Sequence, residues 1–340
     1  MQSLTTPLRF ERHALEKVWG GRALETTFGF ELPPGQPIGE TWEVVDREGE
    51  NSVVAAAPGD PTLVGTTLRA LMERSSGDLL GGAPANRLGR FPVLVKYIDA
   101  SQDLSVQVHP DEESAVAIGG GAETKPEAWY VVDVAPGGKL YAGLRSGVTA
   151  EEYARVADSP QGVELLRSWD VRAGDCVLVP GGTVHAIGAG VTILEVQQNS
   201  DTTYRLYDWG RVGLDGRPRE THVPEGLAAT RFGVEFAGPV RLDPGGENGW
   251  FRGDLARSAF FRMELLVAGG GVEAEEARIS TAGAWQVLAV VAGHGILSAP
   301  DGAEAALEPG DVWLVPAAAG HVQVRRRSGA DELRLVRATA

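Results

Sequence analysis

Short apolar runs recur along the chain, each bounded by Gly, Pro or Asp: FPVLVKYI (91–98), AWYVVDV (128–134), CVLV (176–179), VTILEV (191–196), WQVLAVV (285–291) and VWLV (312–315). Runs of this length closed by turn residues predict strands, and many of them in one chain predict a sandwich or barrel. Two stretches carry helical spacing instead. Residues 66–81 repeat apolar side chains at Leu68, Leu71, Met72 and Leu79, and residues 150–169 at Tyr153, Val156, Val163, Leu165 and Leu166. Pro160 predicts that the second stretch splits into two short helices.

The chain also echoes itself. AGDCVLVP (173–180) is followed five residues on by His185, and PGDVWLVP (309–316) five residues on by His321. WYVV (129–132) before one copy corresponds to WQVL (285–288) before the other, with the helical stretch 150–169 inserted in the first copy only. A Gly-Asp turn feeding a short apolar strand that ends in Pro and then His resembles the second-half motif of a cupin barrel. The expected fold is therefore mainly β: two tandem cupin-type, jelly-roll β-barrels with a small helical insertion. Residues 1–240 form the expected catalytic barrel with an N-terminal extension. Residues 241–340 form a degenerate C-terminal barrel, with the Gly/Pro/Asn-rich run 242–249 marking the boundary.

Charge and cysteine content narrow the partners. The chain has 340 residues, 31 basic and 46 acidic, for a formal charge of −15. Such a surface argues against nucleic acid or an anionic membrane, both of which attract basic patches. It also requires that any phosphate site recruit its own Arg and Lys residues. Cys176 is the single cysteine, which excludes an intrachain disulfide and a thiolate metal cluster. The polar, Pro7-interrupted start and the lack of a long apolar run lead to the expectation of a cytoplasmic protein, monomeric or homodimeric.

Candidate chemistry concentrates in three segments. In LSVQVHP (104–110), strand alternation puts Ser105, Gln107 and His109 on one face and Val106 and Val108 on the other. In TKPEAWY (124–130), Lys125 and Glu127 share a face with Trp129, and His185 follows from the PGGTVH turn. Taken singly, His109 reads as a capped turn residue, Glu127 as a surface carboxylate and His185 as a loop histidine. Together they make a better ligand set: two neutral imidazoles, a carboxylate and an amide oxygen suit Zn²⁺ or a similar borderline ion. The glycine runs 119–121 and 269–271 lack the strand–turn–helix setting of a phosphate-binding loop.

The strings IGETWEVVD (38–46), FPVLVKYIDA (91–100), LSVQVHPDEE (104–113), TKPEAWYVV (124–132) and VPGGTVHAIGAGVTILEVQQNSDTTYRLYDWGR (179–211) resemble the signature blocks of class I mannose-6-phosphate isomerases, in their shorter bacterial form. The resemblance is dense over residues 8–230 and looser beyond. It implies one catalytic zinc held by Gln107, His109, Glu127 and His185, an active-site role for Arg205, and a small phosphorylated sugar as substrate. The implied reaction moves a proton between C1 and C2 through a cis-enediol, interconverting mannose 6-phosphate and fructose 6-phosphate. Glu195 and Lys125 are the alternative proton carriers, Glu195 having a paired structural carboxylate as its competing role. Ser105, Lys125 and Arg211, with Lys96 in reserve, are the expected phosphate contacts.

Matching Trp129 to Trp285 puts Gly283 in the place of Glu127 and Leu265 in that of His109, leaving only His321. The C-terminal barrel is therefore expected to be metal-free. His294 reads as a surface loop residue, and His13 and His222 have no evident ligand partners. Two other readings stay open: a cupin enzyme working on a different substrate (a sugar isomerase or epimerase, or an iron oxygenase), and a sugar-binding homologue that has lost turnover.

Overall fold

The computed structural model describes residues 3–245, 249–269, 276–327 and 332–340. Residues 246–248 of the expected boundary run, and Gly270 and Gly271, lie outside the described residues. The fold is mainly β, with four antiparallel sheets and few helices. Contacts divide the chain into two compact units, residues 1–13, 42–95 and 242–340 in one, 14–41 and 96–241 in the other. Residues 1–13 and 42–95 group with the C-terminal segment rather than with 96–241. Leu8–Phe10 explains part of this, because it pairs with the Val312–Val315 strand.

The unit containing 96–241 has a seven-stranded sheet ordered Val240–Arg241, Asp175–Val179, Glu127–Val134, Val191–Gln198, Val93–Ala100, Ile38–Val44, His13–Gly21. Its five-stranded sheet runs Tyr204–Tyr207, Val106–Val108, His185–Ile187, Lys139–Leu144, Leu166–Asp170. Trp129, Val131, Val177, Val179 and Ile193 belong to one apolar cluster, and Val106, Val108, Tyr153 and Leu206 to another. The apolar side of the Val106–Val108 strand thus packs into a core, as its alternation predicted, freeing the other side for polar groups.

Helical expectations hold with one correction. The first stretch forms the helix Leu68–Leu80, capped by the Thr67 hydroxyl. The second forms Ala150–Ala154 and Pro160–Glu164, with Pro160 in the first turn. Residues 166–169 are not helical: Leu166–Asp170 is a strand paired with Lys139–Leu144, and the Trp169 indole donates to the Ala142 carbonyl at 3.2 Å. Cross-strand pairing outweighs the local 3.6-residue period there. A further helix, Glu112–Ile118, begins where Pro110 ends the strand. Asp111 and Ser114 form its capping box.

The second unit repeats the first. Its seven-stranded sheet contains, in matching order, Leu8–Phe10, Val312–Val315, Gln286–Gly293, Leu333–Thr339, Arg262–Ala268 and Trp250–Arg257. Its smaller sheet contains Ala277–Ser280, His321–Arg326, Gly295–Ser298 and Glu304–Leu307. Strand register corrects the sequence match between the two. Val179 lies opposite Glu127, and its counterpart Val315 lies opposite Gln286. Gln286, not Gly283, therefore occupies the place of Glu127. His185 lies opposite Gln107 and His321 opposite Ser280, so Ser280 replaces Gln107 and Ala282, two residues on, replaces His109 rather than Leu265. The tryptophans mislead because Gly283, at φ +80°, belongs to the turn before the strand.

Candidate metal centre

Two adjacent strands and one neighbouring sheet bring the candidate ligands together. The single-residue pairing of His185 with Gln107 joins the two ligand-bearing strands, and Arg205 lies opposite Gln107 on the other side. Glu127 opens the Glu127–Val134 strand of the larger sheet, where it faces Val179 and Gln197. The donor atoms of His109, Glu127 and His185 all lie within 4.8 Å of one another, and the three residues are buried. His185 Nε2 is 3.2 Å from Glu127 Oε1, and His109 Nε2 is 3.3 Å from Glu127 Oε2.

Both imidazoles are aimed by backbone carbonyls. His109 Nδ1 is 2.8 Å from the Thr202 carbonyl oxygen, and His185 Nδ1 is 2.8 Å from that of Thr183. A carbonyl can only accept, so each Nδ1 carries a proton and each Nε2 is turned toward the cluster. Burial and the Lys125 ammonium push His109 down to about 3, so its ring is neutral at physiological pH. Burial works to raise Glu127, but Lys125, His109 and His185 hold it well below the usual carboxylate range. Neutral imidazoles and an ionised carboxylate are the states that bind a borderline divalent cation. The donor set therefore fits such an ion.

The remaining predicted residues fall around this cluster. Lys125 Nζ lies 3.1 Å from His109 Nε2 and 3.3 Å from Glu127 Oε2. Gln107 turns its amide nitrogen to His185 Nε2 at 3.3 Å and its oxygen toward the Ser105 hydroxyl at 3.5 Å. To serve as a ligand its amide must turn over, exchanging nitrogen for oxygen. The Trp129 ring stands edge-on to the His185 ring, centroids 5.4 Å apart, closing the apolar side.

Glu195 is buried two pairs along from Glu127, opposite Trp129. Its Oε1 lies 3.6 Å from Lys96 Nζ, beyond hydrogen-bond reach, and accepts no hydrogen bond. Burial, reinforced by the charge of Glu127, pushes Glu195 up to about 8, against the pull of Lys96 and Lys125. Lys96 also faces Glu40 at 3.7 Å, and Glu40 faces Lys17 at 4.0 Å. Glu40 was not anticipated. It sits in IGETWEVVD, but alternation alone does not say which of that strand's two glutamates meets Lys96.

Arg205 and Arg211 belong to an arginine cluster beside the ligand strand. Arg205 donates through Nη1 to the Glu220 carbonyl at 2.7 Å, and its buried Nε–H has no acceptor. Arg211 is clamped to Asp208, donating from Nε at 3.2 Å and Nη2 at 2.9 Å. Arg219, which the sequence pattern did not single out, donates to the same carboxylate from Nε at 2.7 Å. His222 packs against this group through its Nδ1, 3.4 Å from the Arg205 backbone nitrogen. His294 is exposed and 2.5 Å from Glu308, a surface pairing as expected.

Known proteins match this chain. Residues 8–130 match the phosphomannose isomerase type I catalytic domain. Mannose-6-phosphate isomerase of Bacillus subtilis is 41% identical over 223 residues, 66% of this chain and 67% of that protein. Mannose-6-phosphate isomerase of Streptococcus mutans is 32% identical over 316 residues, covering 92% of this chain and 93% of its own length. The crystal structure of a mannose 6-phosphate isomerase from Bacillus subtilis superposes with a TM-score of 0.84 at 28% identity, covering 98% of this chain and 99% of that one. A buried His/Glu/His cluster on a repeated β framework, with relatives matched over nine-tenths of their length, identifies the chain as a member of the type I mannose-6-phosphate isomerase family.

Proposed function

We propose that the protein interconverts D-mannose 6-phosphate and D-fructose 6-phosphate, using one zinc ion held by Gln107, His109, Glu127 and His185. The observation that carries this reading is the buried triangle of two imidazoles and a carboxylate, with both rings aimed by carbonyls. Zinc bound there supplies a Lewis acid for the sugar's carbonyl and neighbouring hydroxyl oxygens.

The protein's own groups divide the rest. Glu195, buried with a carboxylate oxygen that accepts no hydrogen bond, is the base that carries the proton between C2 and C1. Lys125, within reach of Glu127, is the alternative carrier and a donor to substrate oxygen. Arg205 directs an unmatched Nε–H that can stabilise charge developing on the enediol oxygens. Ser105, Lys125 and Arg211 take the phosphate, with Lys96 in reserve. Arg211 would exchange part of its Asp208 pairing for the phosphate oxygens.

The repeated strand order supports two tandem cupin-type barrels, the second without a metal. Its equivalent positions carry Ser280, Ala282, Gln286 and His321, and one imidazole without a carboxylate is a poor site. The single buried thiol accords with a cytoplasmic enzyme. A coupled assay for fructose 6-phosphate formed from mannose 6-phosphate tests the reading, run before chelation, after it, and after zinc return. Activity and melting temperature are expected to fall together on chelation and return together with zinc, because an ion bound only by the native state stabilises it. Activity indifferent to chelation would remove the zinc mechanism.

A further inference from the structure

The chain turns sharply just past the Tyr204–Tyr207 strand. Tyr207 pairs with Val106, so Asp208 follows at the Ser105 end of that strand pair. Trp209 at φ +58° and Gly210 at φ +69° both adopt the left-handed region. Arg211 closes the turn, its N–H donating to the Asp208 carbonyl at 3.1 Å. A tryptophan is strained in that conformation. Its indole donates to the Leu104 carbonyl at 2.8 Å, which ties the turn to the residue before Ser105. The chain then runs out and back: Val212 bridges to Pro218, and Gly213 donates to the Arg217 carbonyl at 2.7 Å. That excursion returns Arg219 to Asp208.

Two guanidiniums thus share one carboxylate, and they share it unequally. Arg219 spans both oxygens, Nε donating to Oδ2 at 2.7 Å and Nη2 to Oδ1. Arg211 reaches Oδ1 alone, from Nε at 3.2 Å and Nη2 at 2.9 Å. Three donors therefore crowd Oδ1, an oxygen with two lone pairs, while Oδ2 belongs to Arg219. Asp208 is buried. Burial works to raise its carboxyl, but Arg219 and Arg211 hold it below the usual range, so it stays ionised at neutral pH. A buried carboxylate stripped of every partner is very costly, whereas one that keeps a forked arginine is not.

We propose that Arg219 is a positioning residue for phosphate recognition: by holding both oxygens of Asp208, it lets Arg211 leave for the substrate. The proposal rests on the reading that Arg211 takes the phosphate. Without Arg219, Asp208 would turn its second oxygen to Arg211 and close a two-pronged pair. Departure of Arg211 would then leave a bare buried charge. Arg219 thus sets the affinity for the phosphorylated sugar without touching it.

The test uses the zinc-loaded, full-length protein, with each variant confirmed folded by its melting curve. Calorimetric titration with sorbitol 6-phosphate, a polyol phosphate with no carbonyl to isomerise, reads binding. Steady-state kinetics with mannose 6-phosphate read turnover. Arg219→Ala should weaken binding and raise KM by about tenfold, the scale of one charge-assisted hydrogen bond, with kcat little changed. Adding Asp208→Asn to Arg219→Ala should recover most of that loss, because an amide no longer clamps Arg211. A purely structural role predicts the opposite, a second loss added to the first. Arg219→Lys should keep only part of the affinity, since an ammonium is a point charge that cannot span both oxygens. If Arg219→Ala does not fold, Arg219→Lys carries the same comparison with and without Asp208→Asn. Unchanged binding in the Arg219 variants, or a double variant weaker than the single, would overturn the proposal. Arg211→Ala separates it from the reading beneath. If Arg211→Ala binds the probe as wild type does, the phosphate assignment falls and this proposal with it. If Arg211→Ala weakens binding and the Arg219 variants do not, this proposal alone falls.

Discussion

Glu195 is the residue whose environment says most about its task. Burial comes first and the neighbouring Glu127 charge second, and together they push it up to about 8. A raised carboxyl keeps its proton at neutral pH, and a base must lose that proton before it can act. Its contribution therefore grows as pH rises toward about 8 and is lost below. A bound divalent cation lowers that value, so the acidic limb of kcat/KM should lie between the ordinary carboxylate range and about 8. Glu195→Gln should lower kcat by roughly 10²–10⁴-fold and abolish the limb. A variant with unchanged rate and pH profile would pass the proton transfer to Lys125. The polar faces of residues 105–109 and 125–129 were legible in the sequence because strand alternation is local. The pairing of Lys96 with Glu195 and Glu40 was not, since it depends on which strands neighbour one another.

At the scale of single elements, the end of the Leu68–Leu80 helix offers a sharp contrast. Gly81 has φ +62°, and a Cβ there would stand 2.0 Å from the Gly283 carbonyl oxygen. Gly82, next in the chain, donates its N–H to that same oxygen at 2.9 Å, and a Cβ on it would meet nothing nearer than 3.9 Å. Gly81→Ala should therefore cost about 3 kcal/mol or more, through backbone strain and collision. Gly82→Ala should change stability by less than about 1 kcal/mol. Urea unfolding of the two variants checks the difference, and equal midpoints would refute it. Elements were readable where helical spacing marked the buried face, as at Leu68, Leu71, Met72 and Leu79 of a helix that kinks at Ser75. They were misread where a strand borrowed helical spacing, as in residues 166–169, because Leu166 and Trp169 answer to a partner strand distant in sequence.

Across the whole molecule, the duplication was visible in the repeated Gly-Asp-strand-Pro-His string, but its register was not. Matching tryptophans put Gly283 at the position that hydrogen bonding gives to Gln286. Residues 1–13 and 42–95 group with a segment more than 140 positions away, a grouping that no local pattern in the sequence encodes. Cys176, the single thiol, lies in the interior of one unit on the Asp175–Val179 strand. Burial and the adjacent Asp175 push it up to about 12. The native protein should thus be inert to a disulfide thiol reagent at pH 8 and react with one equivalent once unfolded. Reaction in the native state on the timescale of a free thiol would contradict the burial. The same thiol then reports opening of the unit that holds the candidate metal centre.

The carbonyls of Thr183 and Thr202 that steer the two histidines belong to the main chain, and every residue type has a carbonyl. The aim of the imidazoles is therefore written in the path of two loops rather than in the identity of any side chain. Exchanging a residue in those loops leaves the steering atoms where they are. Losing or gaining one residue moves them by up to a residue's length, about 3.8 Å, well over the reach of a hydrogen bond. Such a centre tolerates drift in spelling and is vulnerable to changes in length, so indels in these loops are the lesions to expect in chains of this type that have lost their metal.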